Sequence, residues 1–390
     1  MKDQRKTILY LMEYPIDLPG GGQMSTKTLC EGLAKEGTFR PVVACPHLLK
    51  TTGDDYDFDI VTYPSDENRE LSKFLRIRNF LERIGHFYRI IKKIRPDLIH
   101  VSMSESLVTF GFLRIFGIFS HIPFVYTDRG LCFGYRAHSK AVIKATMKHA
   151  EMMLTTTEFN ASLWRKEIKV PVKVIPNTIS SAFDDYDPQK RDLARRRYGI
   201  GSDTAVIGFA GRISEEKDWM KTPDVVAAIA STGIKFKVAL VMSVYEDRDE
   251  EIVRAVKDGI RRSVGPEGLI YMQDLDQEEI AGYYYLVDFF IMTSCFESFG
   301  KAAVEAMSRK CMVLSTPVGG LTEVIGKEDD LYEMKDLSRL AKRIEYLATH
   351  PDEAQKERDY FYLRYKENYT RDRNIKGHIE VYGSILDKRG

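Results

Sequence analysis

One short run of the sequence carries its densest chemistry: Cys295-Phe296-Glu297-Ser298-Phe299-Gly300-Lys301-Ala302-Ala303-Val304-Glu305-Ala306-Met307. The apolar segment 289–293 before it reads as a strand, and the spacing predicts a helix starting near Ser298. The N–H groups of Phe299 and Gly300 would then lie free at the positive end of that helix, where a phosphate is well placed. Glu297 stands just before the helix, and Glu305 lies about 12 Å further along at about 1.5 Å per residue. That separation suits the two ends of a nucleoside diphosphate sugar, one carboxylate accepting sugar hydroxyls and the other the ribose diol. Two glutamates alone would read as a solvated face. The Ser-Phe-Gly start and the downstream turn Thr316-Pro317-Val318-Gly319-Gly320 favour a site, and the small Ala302, Ala303 and Ala306 let the helix seat closely on a sheet.

A second cluster lies upstream. Gly208-Phe209-Ala210-Gly211-Arg212 reads as the end of a strand, with Lys217 five residues on. Two cations at a sheet's carboxyl edge can converge on a diphosphate, the guanidinium as a fork and the ammonium as a point charge. Glu215 and Glu216 between them offer the alternative of local pairing. Near the N-terminus, Gly20-Gly21-Gly22 follows the first strand and precedes a helix over 23–35, so backbone N–H groups there could approach an anion or sugar, or simply make a tight turn. The spacing is neither G-x-G-x-x-G nor a Walker A motif, which weighs against dinucleotide binding and ATP hydrolysis.

These segments need a frame to position them. Runs at 8–12, 41–45, 60–63, 98–102, 124–127, 152–156 and 172–175 read as strands alternating with helices, and after a polar stretch over 176–188 the rhythm restarts at 205–210, 237–242, 269–272, 289–293 and 312–315. The expectation is an α/β protein of two doubly wound, Rossmann-like domains facing a central cleft, with ligands at the carboxyl ends of the strands. Residues 1–180 form the first domain, 181–368 the second, and 369–390 a helix packing back on the first. In 390 residues, 58 Lys and Arg balance 57 Asp and Glu, so no global field gathers nucleic acid. Five cysteines without C-x-x-C spacing fit reduced thiols rather than a disulfide frame or zinc site. No signal peptide is evident, and the most apolar run, 107–125, is interrupted by Arg114 and His121, against about 18 residues for a spanning helix. The expected location is cytoplasmic.

Val174-Ile175-Pro176-Asn177-Thr178, Gly208-Phe209-Ala210-Gly211-Arg212 with Lys217, Glu297-Ser298-Phe299-Gly300 with Glu305, and Gly319-Gly320 with Glu323 resemble family 4 of the retaining glycosyltransferases. The resemblance implies a GT-B fold, donor binding by the second domain, acceptor binding mainly by the first, and no metal or other cofactor. It implies that Arg212 and Lys217 neutralise the leaving diphosphate, that Glu297 holds the donor sugar and Glu305 the ribose. Phe299, Gly300 and Lys301 would place backbone groups near sugar and phosphates, with Gln273-Asp274-Leu275 beside the nucleobase. Arg212, Lys217 and Glu297 form the expected catalytic set. Gly21, Gly22, Asp274, Leu275, Ser298, Phe299, Gly300, Lys301 and Glu305 complete the expected donor site.

The sequence departs from the family where the latter has a histidine. Tyr126-Thr127-Asp128-Arg129-Gly130 carries arginine there, a permanent cation with five donors. Arg129 either contacts a donor phosphate, an acidic sugar or a phosphorylated acceptor, or pairs with Asp128. His100 reads as a satisfied strand-end histidine and Cys295 as packing. The stretch 73–95 sets Lys73, Arg76, Arg78, Arg83, Arg89, Lys92, Lys93 and Arg95 against Glu82, with apolar residues interleaved. It reads either as a helix lying on anionic lipid at the inner face of the cell membrane or as an ordinary covering helix. The reading that follows is a retaining transferase that moves a sugar from a nucleotide donor, with UDP taken as the base, to a glycan or lipid-linked hydroxyl, a donor phosphate oxygen taking the acceptor proton. A non-catalytic sugar-nucleotide-binding scaffold subunit and a nucleotide-sugar 2-epimerase are the alternatives, the latter without an evident acid/base set.

Overall fold

The computed structural model describes residues 5–18, 20–65 and 73–389. The chain divides into two compact units, Met1–Thr178 with Arg371–Gly390, and Ile179–Thr370. In order, the first contains β1 (Lys6–Leu11), α1 (Gly21–Glu36), β2 (Phe39–Pro46), β3 (Asp59–Tyr63), α2 (Lys73–Ile94), β4 (Leu98–Val101), α3 (Ser104–Ile115), β5 (Phe124–Asp128), α4 (Ala137–Met147), β6 (Met152–Thr155), α5 (Glu158–Arg165) and β7 (Val172–Val174). The second contains α6 (Pro188–Arg197), β8 (Ala205–Arg212), α7 (Thr222–Ala230), β9 (Phe236–Ser243), α8 (Asp247–Val264), β10 (Leu269–Gln273), α9 (Gln277–Tyr284), β11 (Phe289–Met292), α10 (Lys301–Ser308), β12 (Met312–Ser315), α11 (Leu321–Ile325), α12 (Leu337–Thr349) and α13 (Pro351–Asn368). The closing helix α14 (Arg371–Leu386) belongs to the first unit. Every strand expected from the sequence is present, its ends within two residues.

Both sheets are parallel throughout. The first runs β3-β2-β1-β4-β5-β6-β7 and the second β10-β9-β8-β11-β12. Parallel strands covered on both faces must be apolar along their length, and β4 and β11 have no exposed residue. Strand order reverses between β1 and β4 and between β8 and β11. Connections leaving such a pair go to opposite faces, which opens a gap at the carboxyl edge.

Side-chain chemistry ties α14 to its own unit. Gly32 on α1 leaves room for Ile375, since a Cβ at Gly32 would lie 2.1 Å from Ile375 Cδ1. Deeper in, Tyr382 Oη lies 2.8 Å from Tyr10 Oη and 2.6 Å from His100 Nδ1, while His100 Nε2 lies 2.7 Å from Thr127 Oγ1. His100 is thus the satisfied strand-end histidine expected, with burial holding its imidazole well below the usual range.

In the second unit the buried carboxylate of Asp288, just before β11, is met by Arg191, Arg195 and Arg358, and it accepts from Val206 N at 2.9 Å. Burial alone would raise this carboxyl; the guanidinium groups outweigh it and hold it below the usual carboxylate range. Removing the charge would strand three cations that are mostly buried. Asp288→Asn should therefore cost about 3–5 kcal/mol of stability, read as a lower urea midpoint with an unchanged slope.

Candidate functional site

The gap between β8 and β11 is where the sequence-derived catalytic residues gather. Arg212 ends β8 and the loop after it carries Lys217, while the loop after β11 carries Glu297. A backbone and a side-chain hydrogen bond stitch the loops together: Cys295 N donates to Glu216 O at 2.9 Å, and the Thr293 hydroxyl donates to Lys217 O at 2.8 Å. Lys217 Nζ then pairs with Glu297 Oε2 at 2.6 Å, both side chains about four-fifths covered. A narrow hollow lined by Phe209, Ala210, Lys217, Trp219, Thr293 and Ser294 opens beside the pair. Arg212 is exposed, its carbonyl accepts from Trp219 Nε1 at 2.9 Å, and among the described residues its guanidinium has no carboxylate partner. Among the described residues no ion pair within 4 Å joins Arg212 or Lys217 to Glu215 or Glu216, but the Ser214 hydrogen bond and the nearby charges of Arg212 and Lys217 hold the Glu216 carboxyl below its usual range.

The structure corrects three expectations here. The helix begins at Lys301 rather than near Ser298, because Gly300 caps it in the left-handed region at φ 91°. A Cβ there would also lie 2.3 Å from Leu321 Cδ2, so conformation and space both require glycine. Glu305 accordingly sits one turn inside the helix, about 6 Å along its axis. Ser298 and Phe299 belong to the loop, and the Phe299 ring is core, packed edge-on against Tyr369 at 5.6 Å. Only the backbone of Phe299 remains for binding. Cys295 is exposed rather than packed.

Glu305 is half-buried and accepts from Tyr284 Oη at 3.1 Å. Burial raises its carboxyl, with Lys301, the Tyr284 hydrogen bond and Lys217 opposing the rise. Tyr284 is a partner that the motif itself did not signal. Asp274 is exposed at the end of β10, in the left-handed region at φ 52°, and Oδ1 accepts from Val244 N at 2.8 Å. It and the half-buried Leu275 lie two strands from β8 in a sheet with about 4.8 Å between strands. α10 has neither a side-chain cap nor an acidic residue in its first turn. Among the described residues no group of three or more His, Cys, Asp or Glu is arranged to hold a metal ion.

Gly21, Gly22 and Arg129 belong to the first unit, at the carboxyl ends of β1 and β5. α1 starts at Gly21 with Gly20 as its N-cap and no side-chain cap. A Cβ on Gly22 would lie 2.7 Å from Met103 Cε and 3.8 Å from Arg129 Cδ, so the first turn of α1 runs against both. Asp128 does not pair with Arg129. Its carboxylate turns inward to Asn160 Nδ2 at 2.9 Å, Trp164 Nε1 and Tyr135 Oη. Arg129 Nη1 instead donates to Asn177 Oδ1 at 3.2 Å, and burial lowers the guanidinium to about 10.

Glu13 was not singled out from the sequence, since a lone glutamate after a strand carries no spacing signal. It is buried beyond β1 and accepts from Ser106 N at 3.0 Å and from Ser106 Oγ. Burial pushes its carboxyl up to about 7.

Two parallel α/β sheets, each with its polar loops at the point where strand order reverses, define a protein of the GT-B class. The chain belongs to the family 4, group 1 glycosyltransferases: the Glycosyltransferase Family 4 model matches residues 19–183 and the Glycosyl transferases group 1 model residues 204–350. A 2-deoxystreptamine glucosyltransferase of Streptomyces kanamyceticus is 27% identical over 213 residues, covering 52% of this chain and 54% of that protein. The chain spans about half the length of the curated relatives it matches first. In fold it resembles sucrose-phosphate synthase of Thermosynechococcus elongatus, with a TM-score of 0.82, 17% identity and coverage of 98% and 100% of the two chains. It also resembles HepE of Anabaena, crystallised with UDP and glucose, with a TM-score of 0.76, 15% identity and coverage of 97% and 99%.

Glu13 makes stability depend on pH in a defined direction. Its folded value is raised, so the folded state holds the proton more tightly than the unfolded chain. That contribution is complete below about 4.5 and is lost as pH rises through about 7. Between about pH 5 and pH 8 the wild type should therefore lose more thermal stability than Glu13→Gln, which stays neutral and can still accept from Ser106; parallel melting curves would refute this origin.

Proposed function

We propose that this protein is a retaining glycosyltransferase that moves a hexosyl or N-acetylhexosaminyl group from a nucleotide-sugar donor to a hydroxyl of a glycan or lipid-linked acceptor, without a metal. The observation that carries the reading is the meeting of Lys217, Glu297 and an exposed Arg212 at the β8/β11 gap, with Glu305 one turn inside α10. As the bond from sugar to phosphate breaks, the diphosphate gains charge. Arg212 is the cation free to meet it, with Lys217 and the start of α10 adding field at fixed positions. Lys217 takes one oxygen of Glu297, leaving the other to accept a sugar hydroxyl. Glu305, oriented by Tyr284, accepts the ribose diol. No side chain in this set is a ready base, so a donor phosphate oxygen takes the acceptor proton. The alternatives have no comparable support: the intact cation and carboxylate set argues against a scaffold, and no acid/base pair suited to epimerisation stands beside it.

The partner surface we infer is anionic lipid. On α2, Ile77 and Leu81 are 60% and 56% exposed, and on and after α3 Phe112, Ile115 and Phe116 are 42%, 49% and 66% exposed. Phe80 packs edge-on against Phe112, whose ring lies tilted against Phe116, so the two helices share an apolar surface. Arg89, Lys92, Lys93 and Arg95 follow on α2 and just beyond it. Such a face with basic neighbours fits an interfacial helix. The side chains of Lys73, Phe74, Leu75 and Arg76 lie outside those described. No described helix is long and apolar enough to cross a membrane.

A thermal-shift panel of UDP, GDP, ADP and their sugars, with and without EDTA, tests the donor site, since a ligand of the native state alone must raise its stability. The expected result is a base-selective, EDTA-insensitive shift, led by UDP and abolished in Arg212→Ala and Glu305→Ala; a shift unchanged in both variants would remove the donor assignment. For the surface, the protein should float with phosphatidylglycerol vesicles at moderate salt. The double substitution Phe112→Ser with Phe116→Ser should stay at the bottom of the gradient, and a wild type that stays there would remove the lipid reading.

A further inference from the structure

Asp330 and Glu357 are 1% and 5% exposed, and each gives one oxygen to cations. Asp330 Oδ1 accepts from Arg343 Nε at 3.1 Å, while Glu357 Oε2 accepts from Arg343 Nη2 at 2.9 Å and from Lys327 Nζ. Their other oxygens, Asp330 Oδ2 and Glu357 Oε1, are buried and meet no donor among the described residues, yet the two carboxyl groups lie within hydrogen-bonding reach of one another. Two ionised carboxylates facing each other in this way have desolvation and repulsion both against them. One proton between them turns two orphaned acceptors into a single O–H···O⁻ hydrogen bond, a strong kind because one partner is charged.

The surrounding charges decide how firmly that proton is held. Burial, then the hydrogen bond and the charge of Glu357, push Asp330 up to about 7, with Arg343 opposing. Burial acts to raise Glu357 as well, but the Asp330 hydrogen bond, Lys327 and Arg343 outweigh it and hold that carboxyl below the usual range. Asp329 from the turn Glu328–Asp330 and Glu353 from α13 add negative charge, the first acting on Arg343 and the second on Glu357. On α12 Arg339 donates to Glu328 O at 3.2 Å, and on α13 the Tyr360 ring lies under Lys327 Nζ at 5.2 Å. α11 carries one charged residue, Glu323, and β12 none. With the proton lost, two carboxylates balance Lys327 and Arg343; with it held, one positive charge is left over, so both states are accessible near neutral pH.

The residues that follow Asp330 reach the ends of two strands. Leu331 pairs with Ser315 at the end of β12, Tyr332 N donates to Ser315 O at 3.0 Å, and Tyr332 Oη donates to Met292 O at 2.9 Å, at the end of β11. From Met292 the chain runs directly into the loop that carries Cys295 and Glu297, and Gly320 N donates to Glu297 O at 3.0 Å. We propose that Asp330 and Glu357 share one proton, and that this pair is a pH-sensitive clasp which holds the turn Glu328–Asp330 and, through Tyr332, the start of the Glu297 loop. Loss of the proton leaves two opposed carboxylates, whose repulsion loosens the turn and frees the loop. The clasp lies wholly within the second unit and does not rest on the donor assignment.

The test uses the full chain without nucleotide, in a Glu13→Gln background that removes the other carboxyl raised to about 7. Between about pH 5 and about pH 7 the melting temperature of this background should fall as pH rises, because the folded state holds a proton that the unfolded chain has already released. Adding Asp330→Asn keeps the acceptor for Arg343 and supplies a permanent donor to Glu357, so the slope should flatten; Glu357→Gln, a second variant, should flatten it too. Cys295 reports on the loop, since it is exposed and the other four cysteines are buried. Its iodoacetamide labelling rate in the background, divided by the rate with Asp330→Asn added, cancels the thiol's own ionisation at each pH. That ratio should be near unity at about pH 6 and rise at least about threefold by about pH 8.5. Equal melting slopes with and without either added substitution would overturn the shared proton, and a labelling ratio that stays constant over the range would overturn the clasp.

Discussion

The ion pair between Lys217 and Glu297 is the interaction around which the second unit's polar edge is organised. A parallel sheet sends all its loops out at two edges, and only where strand order reverses do two of them diverge to leave a gap. Loops in such a place carry backbone groups that no strand can satisfy. Here Cys295 N donates to Glu216 O, the Thr293 hydroxyl satisfies Lys217 O, and the salt bridge joins the side chains of Lys217 and Glu297. Both ions are largely covered, so removing one would leave the other exposed to the desolvation cost without its partner. Gly300 and Leu321 then set where α10 starts, and through it where Glu305 stands.

Much of this was legible in the sequence. Apolar runs of parallel strands announce themselves, and the strands that end at Arg212 and before Glu297 lie within two residues of their expected ends. What periodicity could not show was that Lys217 would turn to Glu297 rather than to its neighbour Glu216, because that choice depends on two loops a sheet brings together from 80 residues apart. The helix start differs for the same kind of reason: the spacing puts it near Ser298, yet Gly300 is the residue that can adopt φ 91° beneath Leu321. Glu13 escaped notice since its chemistry comes from burial against Ser106, a long-range property.

The first unit shows the opposite economy. Asp128 and Arg129 are adjacent and oppositely charged, and sequence alone leaves their pairing open. Successive residues at the end of a strand point to opposite sides, so Asp128 goes inward to Trp164 and Asn160 while Arg129 goes toward Asn177. The carboxylate is spent on holding the loop, and its neighbour is left with a charge the protein itself does not answer. Pro176, whose carbonyl accepts from Asn374 Nδ2 at 2.7 Å, fixes the segment bearing Asn177 from α14.

That last helix gives the chain a temporal order. His100 and Tyr382 lie 282 residues apart in sequence, and Tyr10 and Tyr382 372 apart, with the whole of Ile179–Thr370 between the two parts of the first unit. On a ribosome adding about 5–20 residues per second, the strands bearing Tyr10 and His100 wait on the order of tens of seconds for the hydroxyl that joins them. The second unit, continuous in sequence, emerges whole in that interval. The nascent first sheet must therefore keep its α14 face uncovered throughout that interval, and the first unit's core is complete only once the last helix has left the ribosome.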